Sequence, residues 1–492
     1  MLNLLKKILF NDLQSKNSKN KEIQKNQKPT YSHIEEEFSK CADITKKEYP
    51  QIHLQLMYFE YMIAKEMVEK VLFSKIEKLN AENIKSFLSQ HQFQACDDSK
   101  EAVNALLAGN VIIFHQDQTY IFAAINLQTR AIQTAESETI ITGSHDAFNE
   151  DINTNLSLVR RRVKSSKLKV LKYSIGKITK NTVYILYIED LAKPDLVNEL
   201  KNRMENIKVD AIYDVNMLVQ LIEEYPTSPF PQIFTTERPD VMSSKLTEGK
   251  IIGLMSNSPY AFSAPATFFD FVHSPDDYNQ RWLTGSLIRI FRLFAFFITV
   301  TLTALYVSIT TFHYAMVPEL LLPSLIKSRS NVPFPPIIEA LIMEFTIELL
   351  REAGARLPTK VGQTIGIVGG IVIGSASVEA GITSNILIIF VAVSAIASFV
   401  IPSYVMSSSV RIIRFGFIIM AGFLGNLGIS IALGFLVLSL TSLTSLKTPY
   451  LWPISPTQPS NWLDTLIRAP LASLNNETNT SKKKKNSNKN KR

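Results

Sequence analysis

Four glycines stand one helical turn apart in the uncharged segment 361–378, at Gly362, Gly366, Gly370 and Gly374. On a helix they form a stripe without side chains, and Ser377 borders it. In water such a helix is poor, because each interior glycine costs about 1 kcal/mol relative to alanine. In a membrane the same stripe lets a second helix approach closely, which favours association in lipid. The segment therefore predicts a membrane helix in close contact with another helix.

Two interpretations of this stripe remain open. The helix packs tightly against a neighbour inside one subunit, or copies of it pack around a symmetry axis, where they line or gate a pore. Both interpretations place the glycine helix in a bilayer. The chain contains further apolar segments after residue 286. They are 293–317, 382–401 and 415–443, with an acidic helix predicted at 337–352.

The positive-inside rule sets the expected orientation of these segments. Arg289 and Arg292 precede the first span, which is uncharged for long enough to cross a bilayer. They hold its N-terminus inside. Arg411 and Arg414 are assigned to an inner loop, as five crossings require, whereas four crossings place the basic C-terminal tail inside. We therefore predict a helical domain of four or five crossings.

The acidic helix carries Glu344, Glu348 and Glu352 on one face. It lies at the membrane interface, forms a short span whose carboxylates face a wet cavity or ion path, or is a soluble linker helix. Carboxylates within a span are costly and mark function. Arg351 and Arg356 can pair with the last two. Glu344 is farthest from both and is expected to lack a local partner, which suggests access by water or cations.

The predicted fold class is an α/β N-terminal cytoplasmic region of two small subdomains, followed by the α-helical membrane domain. Strand and helix patterns alternate between residues 51 and 255, as in layered α/β folds. The expected boundaries are a disordered basic tail at 1–30, subdomains at 31–150 and 151–285, the membrane domain at 286–445, a C-terminal segment at 446–474 and a disordered basic tail at 475–492.

Charge and composition exclude several classes of function. Most of the net charge of +8 lies in the two lysine-rich tails, so the folded part is no nucleic-acid binder, although the tails can touch anionic lipid. Cys41 and Cys96 have no metal-ligand spacing, and residues 1–10 lack a signal-peptide core. No nucleophile–base pair, phosphate loop or histidine cluster is present. We expect no catalytic residues, metal or cofactor.

Several longer motifs occur in a fixed order. The loop 235–240 holds Glu237, Arg238, Pro239 and Asp240, which local hydrogen bonds or a Glu237–Arg238 pair would stabilise. The triplet Arg160–Arg162 is either a solvated helix face or an anion site. The full set is NLSLVRRR (155–162), FPQIFTTERPD (230–240), DDY (276–278), VPFP (332–335), ELLREAG (348–354), RLP (356–358), GGIVIG (369–374) and EAG (379–381).

In this order the motifs resemble the A subunit of the GerA family of spore germination receptors, across about residues 45–460. The stretch 143–148, GSHDAF, departs from the GPREGF pattern expected there, which puts an anion contact by that family arginine in doubt. The resemblance implies a nutrient-triggered receptor in the spore inner membrane, with a transporter-like B subunit and a lipoprotein C subunit as partners. It also implies that A subunits oligomerise into an ion-conducting assembly.

Two other functions are weighed against this one. A non-conducting scaffold would transmit the signal within the receptor. A secondary transporter would show internal repeats and a midplane site, and no repeat is found among these segments.

Overall fold

The computed structural model describes residues 28–79, 83–124, 142–357, 359–457 and 464–470, with the single residues 135, 138 and 462; for residues 359–368 it describes the backbone. The chain folds into two compact units. One comprises residues 1–128 and 164–167, and the other residues 129–163 and 168–492.

The first unit is built on an antiparallel sheet of order β1-β2-β4-β5-β3. Its second strand begins at Leu54, because Pro50 opens a 3₁₀ turn over Pro50–Ile52. Residues 65–76 form a helix with a π-helical turn at its centre. The elements are α1 (Tyr31–Glu37), β1 (Thr45–Tyr49), β2 (Leu54–Tyr58), α2 (Lys65–Val68), the π turn (Glu69–Phe73), α3 (Ser74–Ile76), α4 (Ile84–Leu88), β3 (Phe93–Cys96), α5 (Ser99–Leu107), β4 (Val111–His115) and β5 (Gln118–Phe122).

The second unit starts with another antiparallel sheet, of order β6-β7-β9-β10-β8. Its central strand β9 is buried along its whole length, as its apolar sequence predicts. The elements are α6 (Ile152–Arg162), β6 (Leu168–Ile175), β7 (Asn181–Ile188), α7 (Pro194–Asn206), α8 (Val215–Ile222), β8 (Phe234–Thr236), α9 (Pro239–Thr247), β9 (Ile251–Met255), β10 (Ala261–Ala264), α10 (Phe268–Val272) and α11 (Asp276–Asn279).

The rest of this unit is mainly helical, so an α/β N-terminal region followed by a helical region is confirmed. Its elements are α12 (Trp282–Thr311), α13 (Leu322–Arg329), α14 (Pro336–Arg356), α15 (Thr359–Glu379), α16 (Asn385–Phe399), α17 (Tyr404–Ser442), β11 (Thr444–Ser445) and β12 (Thr448–Pro449). Among the described helices, α12 and α17 are long and apolar enough to cross a membrane, and α16 is a shorter apolar helix.

Helix α17 reverses direction at Gly425, although the sequence suggested one span over 415–443. Gly425 has φ 60° and ψ −139°, a conformation open in practice only to glycine. A Cβ at Gly428 would overlap the carbonyl oxygen of Met420, so the backbone folds closely back on itself. The two arms, 404–424 and 426–442, therefore form a helical hairpin.

Contacts at the ends of this hairpin support the reversal. Ser409 Oγ donates to the carbonyl of Pro229, and Ser445 Oγ donates to that of Gln232 at 2.6 Å. Residues 229 and 232 can be at most about 11 Å apart. In a straight helix, residues 409 and 445 would be separated by about 54 Å. Both ends of α17 thus lie beside the loop that precedes β8.

Candidate functional site in the helical bundle

Three of the four glutamates of α14 point into the bundle. Glu339 and Glu344 are fully buried, and Glu348 is mostly buried. Glu352 is exposed and pairs with Arg356 at 2.6 Å, as the sequence suggested. Because helix periodicity places residues four apart on one face, Glu344 and Glu348 project toward the same neighbour, the first arm of α17.

Glu344 has a cationic partner, so the expectation that it lacks one is wrong. Its Oε2 lies 2.7 Å from Nη2 of Arg414, and both side chains are fully buried. Thr303 of α12 donates to Oε1 at 2.7 Å. Arg414 follows about seventy residues later on another helix, so the spacing of arginines within α14 gives no sign of this pair.

Glu348 extends this pair into a network. Its Oε1 accepts from Arg414 at 3.1 Å, and its Oε2 lies 3.2 Å from Nε of Arg411. Arg411 and Arg414 were expected in a loop, but both lie inside α17, where these two carboxylates balance their charges. Arg414 Nη1 also donates to Ser394 Oγ at 3.1 Å. We call Glu344, Glu348, Arg411 and Arg414 the charge network.

Arg351 takes a different partner from the one expected. It donates to Ser398 Oγ of α16 at 2.9 Å, and its guanidinium lies over the ring of Phe399 at 4.2 Å. Arg351 of α14 thus contacts Ser398 of α16, and Arg414 of α17 contacts Ser394 of the same helix. The network therefore ties together four helices, α12, α14, α16 and α17.

A second buried carboxylate fixes the start of α14. Glu339 Oε1 accepts from the backbone N–H of Ser384 at 2.5 Å and from Thr383 Oγ1 at 3.1 Å. Ser384 also bonds Tyr306 near the far end of α12, at 2.8 Å. Glu339 therefore lies beside Tyr306, and Glu344 lies beside Thr303. Residue numbers rise along α14 as they fall along α12, so the two helices are antiparallel.

The glycine helix α15 presents an open face. Within the described part of the chain, and apart from the adjoining backbone of α15 itself, no atom lies within 4 Å of a Cβ built at Gly370 or Gly374. Gly369 is different, since its Cβ would lie 2.7 Å from Cδ1 of Leu350 on α14. Ser377 is half-buried, and its carbonyl accepts from the N–H of Ile382. Gly362 and Gly366 lie outside the residues whose side-chain surroundings are described.

Local hydrogen bonds hold the motif loop 235–240 together, as expected, and the N–H of Arg238 donates to Thr236 Oγ1 at 3.2 Å. Arg238 is buried and pairs with Asp240 at 2.7 Å. Glu237 accepts from the N–H of Glu138 at 2.9 Å, and Pro239 begins α9. Burial raises the pKa of Glu138 to about 7, opposed by a hydrogen bond from Thr236. The loop thereby holds residue 138 against β8.

The arginine triplet is not a solvated face throughout. Arg160 is buried, whereas Arg162 pairs with Asp146 at 2.5 Å and bonds Ser144 at 3.2 Å. Asp146 lies in the stretch that departs from the family pattern, and it neutralises Arg162 internally. Among the described residues, no three His, Cys, Asp or Glu side chains are grouped to hold a metal ion.

Comparisons with known proteins identify relatives along most of the chain. A family model described as Bacillus/Clostridium GerA spore germination protein matches residues 32–480. Spore germination protein GerQA of Bacillus cereus is 44% identical over 410 residues, covering 82% of each chain. Spore germination protein A1 of Bacillus subtilis (strain 168) is 40% identical over 428 residues, covering 86% of this chain and 89% of that one.

A solved structure is also similar. It is the crystal structure of the N-terminal domain of the A subunit of the Bacillus megaterium spore germinant receptor GerK3. It is 24% identical, with a TM-score of 0.39, and the match covers 50% of this chain and 98% of that chain.

Proposed function

The chain belongs to the GerA family of spore germination proteins, and we propose that it is the A subunit of a nutrient germinant receptor in the spore inner membrane. In this proposal it is a non-enzymatic subunit that oligomerises to form or gate an ion-conducting path. Its partners are a transporter-like B subunit and a lipoprotein C subunit.

The open glycine face of α15 carries this proposal. Gly370 and Gly374 have space for a close neighbour, and Ile371 and Val372 beside them are exposed. An apolar helix with a bare glycine stripe is suited to close packing against a second helix in lipid. We assign that second helix to another copy of the chain, with Gly362, Gly366 and Ser377 on the same helix, so that copies of α15 surround the path.

In this proposal the charge network lies inside the subunit, on the side of α15 away from the path, and it does not line the path. Its two carboxylates are balanced by two arginines inside the subunit, and Glu344 is fully buried. Helix α14, which bears these carboxylates, contacts α15 where Leu350 meets Gly369. A shift of α14 would therefore move α15, which gives nutrient binding elsewhere in the receptor a mechanical route to the path.

The membrane arrangement we propose has six segments instead of four or five. They are α12, α14, α15, α16 and the two arms of α17. Helices α12 and α14 are antiparallel, and both ends of the α17 hairpin return to the side of the N-terminal region. The N-terminal region is then cytoplasmic, with the C-terminal segment on the same side. The domain boundaries given above remain part of the proposal.

The alternative is a scaffold that transmits the signal without conducting. The internal neutralisation of Glu344 and Glu348 favours it, because paired and buried carboxylates attract no cations from a path. Ion efflux from spores that carry Gly370→Leu at wild-type receptor levels separates the two. A conducting subunit predicts loss of the early efflux, whereas a scaffold whose α15 faces lipid predicts efflux at the wild-type rate.

A further inference from the structure

Arg351 adds a third arginine to the two arginines and two glutamates of the charge network. The two glutamates are already paired with the other two arginines. Arg351 contacts neutral groups, since it donates to Ser398 Oγ and lies under the ring of Phe399. Within the described part of the chain, its Nε and Nη1 are shielded from solvent and have no hydrogen-bond partner. Because a buried cation is costly unless it is paired, we expect a negative group from outside the subunit.

This arginine lies at the end of the bundle that meets the N-terminal region. Its partner Ser398 is next to the last residue of α16, and the carbonyl of Ser398 accepts from Ser407 Oγ of α17 at 2.8 Å. Ser409, two residues further on, donates to the carbonyl of Pro229. In the proposed membrane arrangement this end of the bundle meets the cytoplasmic leaflet. Arg351 is thus at the depth of the lipid headgroups there.

Two exposed aromatic rings cover arginines at this end. Phe399, 69% exposed, lies 4.2 Å from the guanidinium of Arg351. Tyr404, 68% exposed, lies 6.0 Å from that of Arg411. Amphipathic aromatic side chains such as tyrosine are enriched at the interface between a bilayer and water. The cationic groups are therefore reached from the lipid side, past two side chains that nothing in the described subunit covers.

The surface that continues from these rings toward the bilayer centre is apolar. Ile396 and Val400 are one helical turn apart at the end of α16, and both are exposed. Val405 and Ile412 are two turns apart on α17 and are exposed as well. A cationic centre bordered by aromatic rings and then by aliphatic side chains matches a phospholipid, whose charged headgroup is followed by acyl chains.

We propose that the phosphate of an anionic phospholipid of the cytoplasmic leaflet binds Arg351, with its acyl chains on the exposed apolar surface of α16 and α17. The proposal rests on the membrane arrangement given under the proposed function. The phosphate supplies the missing negative charge and oxygen acceptors for Nε and Nη1. Basic pockets between spanning helices on the cytoplasmic side are suited to anionic headgroups. Rotation of the exposed Phe399 side chain admits the phosphate.

A lipid bound here stabilises the folded subunit, because Arg351 joins α14 to α16. Any ligand that binds the folded protein and not the unfolded chain raises the unfolding temperature. Thermal unfolding of the full-length protein in detergent therefore measures the interaction. Phosphatidylglycerol, phosphatidylcholine and free glycerol phosphate are titrated separately. The titrations are made at high salt, which weakens binding by charges in water more than binding at a partly buried site.

We expect phosphatidylglycerol to raise the unfolding temperature saturably, and the other two compounds to leave it nearly unchanged. Arg351→Gln should raise the half-saturating concentration of phosphatidylglycerol about tenfold or more, because a charge-assisted hydrogen bond is lost. Arg351→Lys keeps the positive charge and should retain most of the lipid effect. The matched control is Arg356→Gln, the same substitution in an exposed pair on the same helix, which should respond like the wild-type protein.

Equal shifts with phosphatidylglycerol and phosphatidylcholine would overturn the proposal, because the binding would then not depend on lipid charge. An unchanged affinity of Arg351→Gln for phosphatidylglycerol would overturn the assignment to Arg351. A shift with glycerol phosphate as large as that with the lipid would exclude the acyl chains from the site. None of these outcomes depends on whether the subunit conducts ions.

Discussion

Arg414 and Glu344 face each other at 2.7 Å on two helices, and neither side chain reaches solvent. A buried charge that loses its partner costs about 3–5 kcal/mol, because the remaining ion is left uncompensated. Arg414 also pairs with Glu348, whereas Glu344 has Arg414 as its short-range cation and Thr303 as its hydrogen-bond donor. The two partners are therefore not equivalent.

Arg414→Gln should destabilise the protein by about 3–5 kcal/mol, and Glu344→Gln should destabilise it less. The glutamine at 344 keeps the bond to Thr303 and leaves Arg414 with Glu348. Thermal unfolding of the detergent-solubilised protein measures both losses. The double variant should recover part of the loss of Arg414→Gln. The control is Arg356→Gln, which breaks an exposed pair worth roughly 0–1 kcal/mol. Equal effects of Arg414→Gln and Arg356→Gln would contradict the network.

Substitutions along α15 and α14 should separate folding from assembly. The leucine side chain of the Gly370→Leu variant enters open space within the subunit, so this variant should fold normally but should disrupt the oligomer. The Gly370→Ala variant should disrupt the oligomer less. Gly369→Leu should strain the contact between α14 and α15 more than Gly370→Leu does, because a Cβ at residue 369 would lie 2.7 Å from Cδ1 of Leu350. Gly354→Leu is the matched control, a helical glycine with an equally open surrounding on α14. Size-exclusion chromatography at equal protein levels gives the answer, and an intact oligomer with leucine at 370 would exclude α15 from the interface.

Cysteine labelling tests the six-segment arrangement. An impermeant reagent added outside should label Ser330→Cys and spare Ser165→Cys, Pro402→Cys and Thr457→Cys. Pro402 lies just before α17 and Thr457 lies beyond its end. In the proposed arrangement both are on the cytoplasmic side, because both ends of the hairpin return to the loop that precedes β8. Permeabilised membranes provide the control that every cysteine is reactive. Labelling of position 457 from outside would show an odd number of crossings.

The sequence located the apolar helices more accurately than the side-chain contacts between them. Helix α15 and the apolar segments were found from composition, because membrane burial is a local property of a segment. The Glu344–Arg414 pair was missed, since it joins helices that are distant in sequence. Two arginines three residues apart within an apolar stretch were a usable signal, because such charges require a buried acid. The reversal at Gly425 was hidden among the other glycines of the same segment.

The pH dependence of the motif loop follows from Glu138. Its pKa is raised from 4.5 to about 7 in the folded protein, so the folded state holds a proton that the unfolded chain releases near pH 4.5. Stability contributed by this group is complete below about pH 4.5 and is lost as pH rises through about 7. Unfolding of wild-type protein and of Glu138→Gln across this range should show a difference that grows with pH in favour of glutamine. A constant difference would show that folding leaves the pKa of Glu138 unshifted.

In the proposed assembly, copies of this subunit surround an ion path at α15. The most direct measurement is the conductance of planar bilayers that contain the purified full-length protein, with Gly370→Leu and Gly354→Leu as paired variants. We expect discrete ion currents from the wild-type protein and from Gly354→Leu, and no such currents from Gly370→Leu although its fold is retained. Currents of wild-type size from folded Gly370→Leu protein would contradict a path at α15. No current from correctly inserted wild-type oligomers would contradict conduction by this subunit.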